Sequence, residues 1–190
     1  MRAVVREALE TLVLALLLFW GLQISLQPTQ VQGASMYPTL ASGQRLLVNK
    51  LVYLHFSPSS IVEVLPFIES NDGDDVFVFH TPERGEVIIF HFPPDPSRDF
   101  VKRVIGLPGD TVEIKRGDVY IDGELLNEPY IERRDRSNTE PTTIPEGEIF
   151  VLGDNRRASD DSRQWGNVPL ENVVGKGWFT YWPVSDWILL

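Results

Sequence analysis

The chain has 190 residues, 43% hydrophobic and 23% charged, which excludes a mainly disordered chain and predicts one compact domain with at most a short appendage. The net charge of −10 argues against nucleic acid as a partner, because phosphate contacts require clustered Lys and Arg. With no cysteine, the chain has no disulfide, no thiolate metal site and no cysteine nucleophile.

The N-terminal segment is predicted to be a transmembrane helix. Leu9–Leu26 carries a single charge, Glu10, and as a helix it is about 27 Å long, close to the hydrocarbon thickness of a bilayer. Gln27 and Pro28 are predicted to end the helix. On this segment alone, a cleavable signal peptide and a buried core helix are the alternatives.

The charges around this segment predict its orientation. Arg2 and Arg6 precede it, and no basic residue follows until Arg45. Because cytoplasmic flanks carry the excess of Lys and Arg, residues 1–8 are predicted on the cytoplasmic side and residues 27–190 on the opposite, trans side.

The body is predicted to be mainly β, because short β-branched and aromatic runs are bounded by Gly, Pro, Asp or Asn. Asp122-Gly123 predicts a two-residue hairpin turn, and Leu107–Asp110 predicts another turn. The stretch Ser57–Arg84 is predicted to be a long excursion between strands rather than a domain. The predicted strands are Arg45–Val52, Glu86–Phe92, Phe100–Ile105, Thr111–Lys115, Val119–Ile121, Glu148–Leu152 and Gly175–Trp182.

Ser35 is a candidate nucleophile. It lies in the segment GASMYPTL, where Gly33 and Pro38 favour a bend that presents its hydroxyl. The eight residues Gln27–Ala34 keep it within about 26 Å of the helix end. A serine in such a turn is usually only a turn-former, and as a nucleophile it needs a base.

Lys102 is a better candidate base than the histidines His55, His80 and His91. The histidines show no triad signature, and their spacing fits no metal motif, so neither a metal nor another cofactor is predicted. Apolar residues flank Lys102 on its face of the strand FVKRVI, and burial beside Arg103 would lower its pKa from about 10.4. A neutral lysine can accept a serine proton. The alternative is a lysine that reaches solvent at a strand edge.

A polar loop, GDNRRASDDSRQWGNVP, follows the apolar strand that ends at Leu152. Loops after strands often display catalytic side chains. This one is either a solvated turn or the source of a hydroxyl near Lys102 and of an Asp–Arg pair that fixes the loop.

Together these segments resemble the type I signal peptidases. GASMYPTL, RGEVIIF with FVKRVIGLPGDTVEI, and GDNRRASDDSRQWGNVP are similar to the serine, lysine and C-terminal motifs of that family, in the same order and at matching spacing. The resemblance covers Leu9 to Pro183. It implies a β-rich catalytic body after one retained transmembrane helix, in a bacterial plasma membrane or a thylakoid membrane. It also implies an endopeptidase that removes signal peptides from exported preproteins without a cofactor.

The resemblance assigns the catalytic roles. It makes Ser35 the nucleophile and Lys102 the general base, and it implies that Ser159 hydrogen-bonds and orients the lysine amine. Gly33 stands where some members of the family have a serine that helps to bind the oxyanion. The backbone N–H of Ser35 is therefore expected to carry more of that stabilisation.

The resemblance also implies that four further residues support the site structurally. Asp161 and Arg163 match a loop-fixing ion pair, and Asp154 matches the partner of Arg103.

Two alternative classes stay open at this point. A soluble, self-cleaving repressor-like protein with a Ser–Lys pair is disfavoured by the apolar N-terminal segment and the acidic charge. A membrane-tethered β domain that binds signal peptides or partners without cutting is disfavoured by the presence of both Ser35 and Lys102.

Overall fold

The computed structural model describes residues 2–53, 55–56, 76–77 and 80–190. Within these ranges a long helix precedes a seven-stranded sheet, a four-stranded sheet and a short strand pair. The predicted mainly β body is therefore confirmed. The helices are α1 (Arg2–Ser25) and α2 (Ser162–Trp165), and single 3-10 turns occupy Leu170–Asn172 and Val184–Asp186.

The described residues form the following strands, given in chain order. They are β1 (Leu26–Gln30), β2 (Arg45–Asn49), β3 (His55–Phe56), β4 (Val76–Phe77), β5 (Val87–Phe92), β6 (Asp95–Gly106), β7 (Thr111–Lys115), β8 (Asp118–Ile121), β9 (Glu124–Leu125), β10 (Thr139–Thr143), β11 (Glu148–Leu152), β12 (Val168–Pro169) and β13 (Val173–Trp182). The large sheet has the order β1-β2-β13-β5-β6-β11-β12, and the small sheet has the order β10-β7-β8-β9.

The apolar runs predicted as strands all form strands, whereas β1, β10 and the two-residue strands β3, β4 and β12 were not predicted. β1 begins directly after α1 and contains Pro28, which pairs with Leu47 of β2. Proline has no N–H to donate, but β1 is an edge strand, where that loss is tolerated. β10 is mostly exposed and polar, so its sequence gives no alternating pattern.

The predicted hairpin turn at Asp122-Gly123 is confirmed between β8 and β9, with positive φ at both residues (52° and 84°). α1 begins at Arg2, earlier than predicted, and ends at Ser25. Among the described residues, no helix combines the length and the apolar character needed to cross a membrane, so the predicted span Leu9–Leu26 is not confirmed. Most of the predicted excursion Ser57–Arg84 lies outside the described residues.

One cluster of buried side chains places the loop between β1 and β2. Met36 and Leu40 from this loop pack against Val48 of β2 and Ile89 of β5. Full burial of such a side chain contributes about 1.5–3 kcal/mol. Val31, which precedes Ser35, belongs to the same cluster, so the loop is fastened to the large sheet on both sides of the serine.

Candidate active site

Ser35 lies half-buried in a turn of the β1–β2 loop. Gly33 has a φ of +83°, a conformation that glycine adopts readily, and the N–H of Tyr37 donates to the carbonyl of Ala34 at 3.2 Å. Within the described ranges, the backbone N–H of Ser35 donates no hydrogen bond. This N–H is therefore available to a carbonyl oxygen brought to the serine.

Lys102 of β6 reaches the same point from the large sheet. Its Nζ donates to Ser35 Oγ at 3.0 Å and to the carbonyl of Val101 at 3.1 Å, and it lies 5.1 Å from the centre of the Phe100 ring. The side chain is buried, with 4% of the residue exposed. The structure thus brings the predicted nucleophile and the predicted base into hydrogen-bond contact.

The environment of Lys102 favours the neutral amine. Burial lowers the pKa of Lys102 from 10.5 to about 8, against the opposing effect of the Asp161, Asp160 and Asp154 carboxylates. These carboxylates form no ion pair with Lys102 in the described part of the chain. About a tenth of the amine is therefore uncharged at pH 7, and the neutral form that a general base requires becomes the larger fraction above pH 8.

The polar loop after β11 holds the Ser35 turn from the other side. The backbone N–H of Asn155 donates to the carbonyl of Ser35 at 2.9 Å, and its side-chain amide donates to the carbonyl of Ala34 at 3.0 Å. Both bonds hold the main chain of the turn and leave the serine hydroxyl to Lys102. Asn155 was not singled out from the sequence, since nothing in its spacing marks it as a contact of Ser35.

Arg103, the neighbour of Lys102, forms a bidentate ion pair with Asp154. The two distances are 2.8 Å from Nε to Oδ1 and 2.7 Å from Nη2 to Oδ2. The Thr39 hydroxyl also donates to Asp154, and Arg103 donates to the Gly85 carbonyl at 2.6 Å. The pair therefore connects the lysine strand, the serine loop and the polar loop.

Asp161 and Arg163 also form a bidentate pair, at 2.7 and 2.8 Å. Asp161 caps the N-terminus of α2 and accepts from the backbone N–H of Gly153 at 3.0 Å. Arg163 extends this network to Asp135 and to the carbonyl of Arg156. These contacts fix the path of the polar loop between its two ends.

Ser159 differs from the expectation. Its hydroxyl is buried and has no hydrogen-bond partner among the described residues, so the expected bond to Lys102 is not formed. Ser159 instead packs against Gly153, where an added Cβ would overlap the Ser159 hydroxyl and lie 2.5 Å from the Ser35 carbonyl oxygen. Gly153 thus permits the close approach of the two serine-bearing loops.

A buried ion pair that the sequence did not reveal supports the same loop. Arg156 forms a bidentate pair with Glu128, and both side chains are almost completely buried. The Tyr130 hydroxyl donates to Glu128 at 3.1 Å, and the Tyr130 ring lies 4.0 Å from the Arg103 guanidinium carbon. The segment between β9 and β10 is thereby joined to Arg103 and to the polar loop.

The Ser35–Lys102 pair lies at one end of a groove of about 750 Å³. One wall is the segment from Gln27 to Ser35, and the other is the segment of β6 from Arg98 to Lys102. β11 pairs with β6 only from Arg103 onwards, so among the described strands this part of β6 has a free edge on that side. The groove therefore offers backbone groups to an extended chain.

The described histidines do not line this groove. His91 contacts Asp99 at 2.8 Å, and His80 lies near Glu83 and Glu86. The ligand atoms of His80, Glu83 and Glu86 lie within 4.8 Å of one another, which is close enough for a metal. Glu86, however, already accepts from the Lys176 ammonium, which neutralises the carboxylate that a cation would need.

The site contains a serine hydroxyl beside a buried lysine amine, at the end of a groove with free backbone groups, which is an arrangement suited to a serine hydrolase acting on extended peptides. The family model for signal peptidase, peptidase S26, matches residues 5–182. The chain therefore belongs to the signal peptidase family, and it is a serine endopeptidase.

Two individual relatives agree with this assignment. The chain is 40% identical over 176 residues to a probable signal peptidase I-1 of Synechocystis sp., covering 93% of this chain and 80% of that protein. It is 34% identical over 187 residues to signal peptidase I of Leptolyngbya laminosa, covering 94% and 80% of the two chains. A solved signal peptidase I from Enterococcus faecalis matches 50% of this chain and 96% of its own, with 38% identity and a TM-score of 0.45.

Proposed function

We propose that the protein removes signal peptides from exported preproteins, with Ser35 as the nucleophile and Lys102 as the general base. The observation that carries the proposal is the 3.0 Å contact between Ser35 Oγ and the buried Lys102 Nζ. The names of the relatives support the substrate class, since they are signal peptidases.

In the proposed reaction, the neutral Lys102 amine accepts the Ser35 hydroxyl proton as Oγ attacks the scissile carbonyl carbon. The resulting ammonium returns this proton to the leaving amine nitrogen when the C–N bond breaks, which leaves an ester on Ser35. A water molecule then loses a proton to Lys102 and attacks the ester. The Lys102 ammonium gives this proton to Ser35 Oγ as the bond from Oγ to the carbonyl carbon breaks. The product leaves as a carboxylic acid that ionises in solvent, and the serine hydroxyl and the neutral amine are restored.

The negative charge that develops on the carbonyl oxygen is stabilised by the free backbone N–H of Ser35. Such a donor is effective when it is already oriented before the reaction. The bonds from Asn155 to the carbonyls of Ala34 and Ser35 hold the turn in that orientation.

Arg103, Asp154, Asp161 and Arg163 are proposed as structural support. Their two bidentate pairs fix β6 and the polar loop around the Ser35 turn. Loss of either ion pair would move Lys102 and Ser35 apart. None of the four residues is proposed to exchange protons with the substrate.

The substrate is proposed to bind as an extended strand along the groove. Backbone pairing with the free edge of β6 supplies affinity that does not depend on sequence, and the shallow groove selects small side chains before the cut. The half-buried Phe100 ring beside Lys102 forms part of its lining and limits the size of those side chains.

We also propose that α1 attaches the enzyme to a membrane, with residues 1–8 on the cytoplasmic side and the body on the trans side. Many apolar side chains of α1 are exposed, including Leu17, Trp20 and Leu22 at 61–65%, so the body does not cover them. Burial of this surface in lipid is the expected outcome. Protease protection in sealed vesicles tests it: a crossing protects the body, whereas surface attachment on the outside leaves all of the chain cleavable.

The test of the peptidase proposal is cleavage of a preprotein with a small-x-small site by the detergent-solubilised chain. Ser35→Ala and Lys102→Ala are run beside it, and Ser97→Ala, at an exposed serine of β6, is the matched control. The wild type and Ser97→Ala are expected to cut after the second small residue, and the two site variants are expected to be silent.

Two results would contradict the proposal. Near wild-type cleavage by Lys102→Ala would place the base elsewhere. A silent wild type that still binds the preprotein would favour the non-cutting tethered domain, which the comparisons with known peptidases do not favour.

A further inference from the structure

Two basic residues line the groove: the candidate base Lys102 and Arg98, which stays charged at every working pH. Arg98 lies on β6, four residues before Lys102, and lines the groove. Its guanidinium carbon is 5.7 Å from the Phe92 ring centre and 5.2 Å from the Phe100 ring centre. These two rings stack on each other at 4.4 Å. The rings hold the guanidinium in place, and Arg98 forms no ion pair within the described ranges. The carboxylates of Asp99 and Asp160 also line the groove.

The distance from Arg98 to the reacting atoms follows from the shared Phe100 ring. The Arg98 guanidinium carbon and Lys102 Nζ lie 5.2 and 5.1 Å from the same ring centre, so they are at most about 10 Å apart. Lys102 Nζ is a further 3.0 Å from Ser35 Oγ. An extended chain advances about 3.3 Å per residue, so this upper limit of about 13 Å covers at most about four substrate residues.

The direction of the substrate follows from the fold, and this step rests on the proposed function. The groove extends from Ser35 toward Gln27, which lies two residues after the end of α1. The apolar part of a membrane-inserted preprotein lies before the cut and must come from that side. Arg98 therefore faces the substrate upstream of the scissile bond.

We propose that Arg98 is a specificity-determining residue that selects an acidic or uncharged side chain, and rejects a basic one, at the fourth substrate residue before the cut. The small-x-small pattern commits the first and third residues and leaves the second and fourth free to carry a charge. Of these two, the fourth lies nearer the far end of this span, where Arg98 is found. A carboxylate there would accept hydrogen bonds from the guanidinium, whereas an ammonium would be repelled.

The test uses three peptides that differ only at this fourth position, with Glu, Gln or Lys. Their dissociation constants are measured for the detergent-solubilised full-length Ser35→Ala protein, alone and combined with Arg98→Glu, Arg98→Gln or Arg133→Glu. Arg133 is exposed and does not line the groove, so Arg133→Glu makes the same change in net charge elsewhere. Cleavage rates of the same peptides are measured with Ser35 intact.

With Arg98 present, the Glu peptide is expected to bind about five- to tenfold more tightly than the Lys peptide at low salt. Arg98→Gln should abolish this preference, Arg98→Glu should reverse it, and Arg133→Glu should leave it unchanged. Rising ionic strength should shrink it.

The inference is overturned if the Arg98 variants weaken all three peptides by one common factor, since Arg98 would then only cover the aromatic pair. It is also overturned if Arg133→Glu shifts the preference as much as Arg98→Glu. Binding is measured without the nucleophile, so the two proposals can fail separately. If the affinities follow the expected order but the protein with Ser35 intact cuts none of the peptides, only the proposed peptidase reaction is refuted.

Discussion

Replacement of Lys102 by methionine tests whether the candidate base is held as a poorly solvated amine. Burial lowers the pKa of this lysine from 10.5 to about 8. Each pKa unit is worth about 1.4 kcal/mol, so keeping the ammonium in its buried position destabilises the folded protein by about 3 kcal/mol at pH 7. Methionine has a similar length and no charge, and it therefore removes this penalty together with the activity.

The penalty depends on pH in a defined direction. Between pH 8 and about 10.5 the unfolded chain still binds the lysine proton that the folded protein has released, so the wild type gains stability relative to the variant as pH rises. The penalty falls to about 1 kcal/mol at pH 9.5. The lost hydrogen bonds to Ser35 and Val101, worth about 1 kcal/mol each, do not change over this range. We expect Lys102→Met to be slightly more stable than wild type at pH 7 and slightly less stable at pH 9.5.

The assay is urea unfolding of the full chain in detergent, followed by tryptophan fluorescence at both pH values. Lys50→Met, at an exposed lysine, is the matched control and should show the same difference from wild type at each pH. An equal effect of Lys102→Met at pH 7 and pH 9.5 would refute the reasoning, because the lysine would then titrate alike in the folded and unfolded chain.

Three other substitutions have expected outcomes. Gly153→Ala should abolish peptide cleavage and lower the melting temperature, since its Cβ would lie 2.5 Å from the Ser35 carbonyl oxygen; unchanged kcat would contradict this. Gly33→Ser has open space around it but a φ of +83°, so we expect it to cost about 1–2 kcal/mol in urea unfolding without raising kcat. Glu128→Ala should cost about 3–5 kcal/mol in the same assay, because it leaves the buried Arg156 charge unpaired, and a loss below about 1 kcal/mol would show that the pair is not buried.

The sequence was sufficient to predict the elements whose residues carry a local pattern. The β-branched and aromatic runs of β5, β6, β7 and β11 predicted strands, because their side chains fill the core on the pleated surface. Strand β1 escaped prediction because Pro28 and its polar neighbours favour a loop, and only the pairing with β2 makes them a strand. Ser35 and Lys102 were predicted as candidates from their motifs, while their 3.0 Å contact depends on the fold.

The rest of the site depends on contacts between segments that are distant in the chain. Glu128 and Arg156 are 28 residues apart, and neither has a local context that distinguishes it from a surface charge. Asn155 could not be predicted as a contact of Ser35, because it lies in a loop rich in Asp, Asn and Ser, and such loops are ordinarily solvated. For Ser159, the resemblance implied a hydrogen bond to Lys102, whereas its buried hydroxyl lies against Gly153 and has no hydrogen-bond partner among the described residues.

The most direct test of the central claim, that the Lys102 amine deprotonates Ser35, is the pH dependence of kcat/KM for an uncharged peptide. The account predicts an ascending limb with a midpoint near 8, since the free enzyme must carry the neutral amine. Lys102→Arg, which stays charged, should be inactive at every pH. A midpoint near 6.5, typical of histidine, or activity retained in Lys102→Arg, would contradict the account.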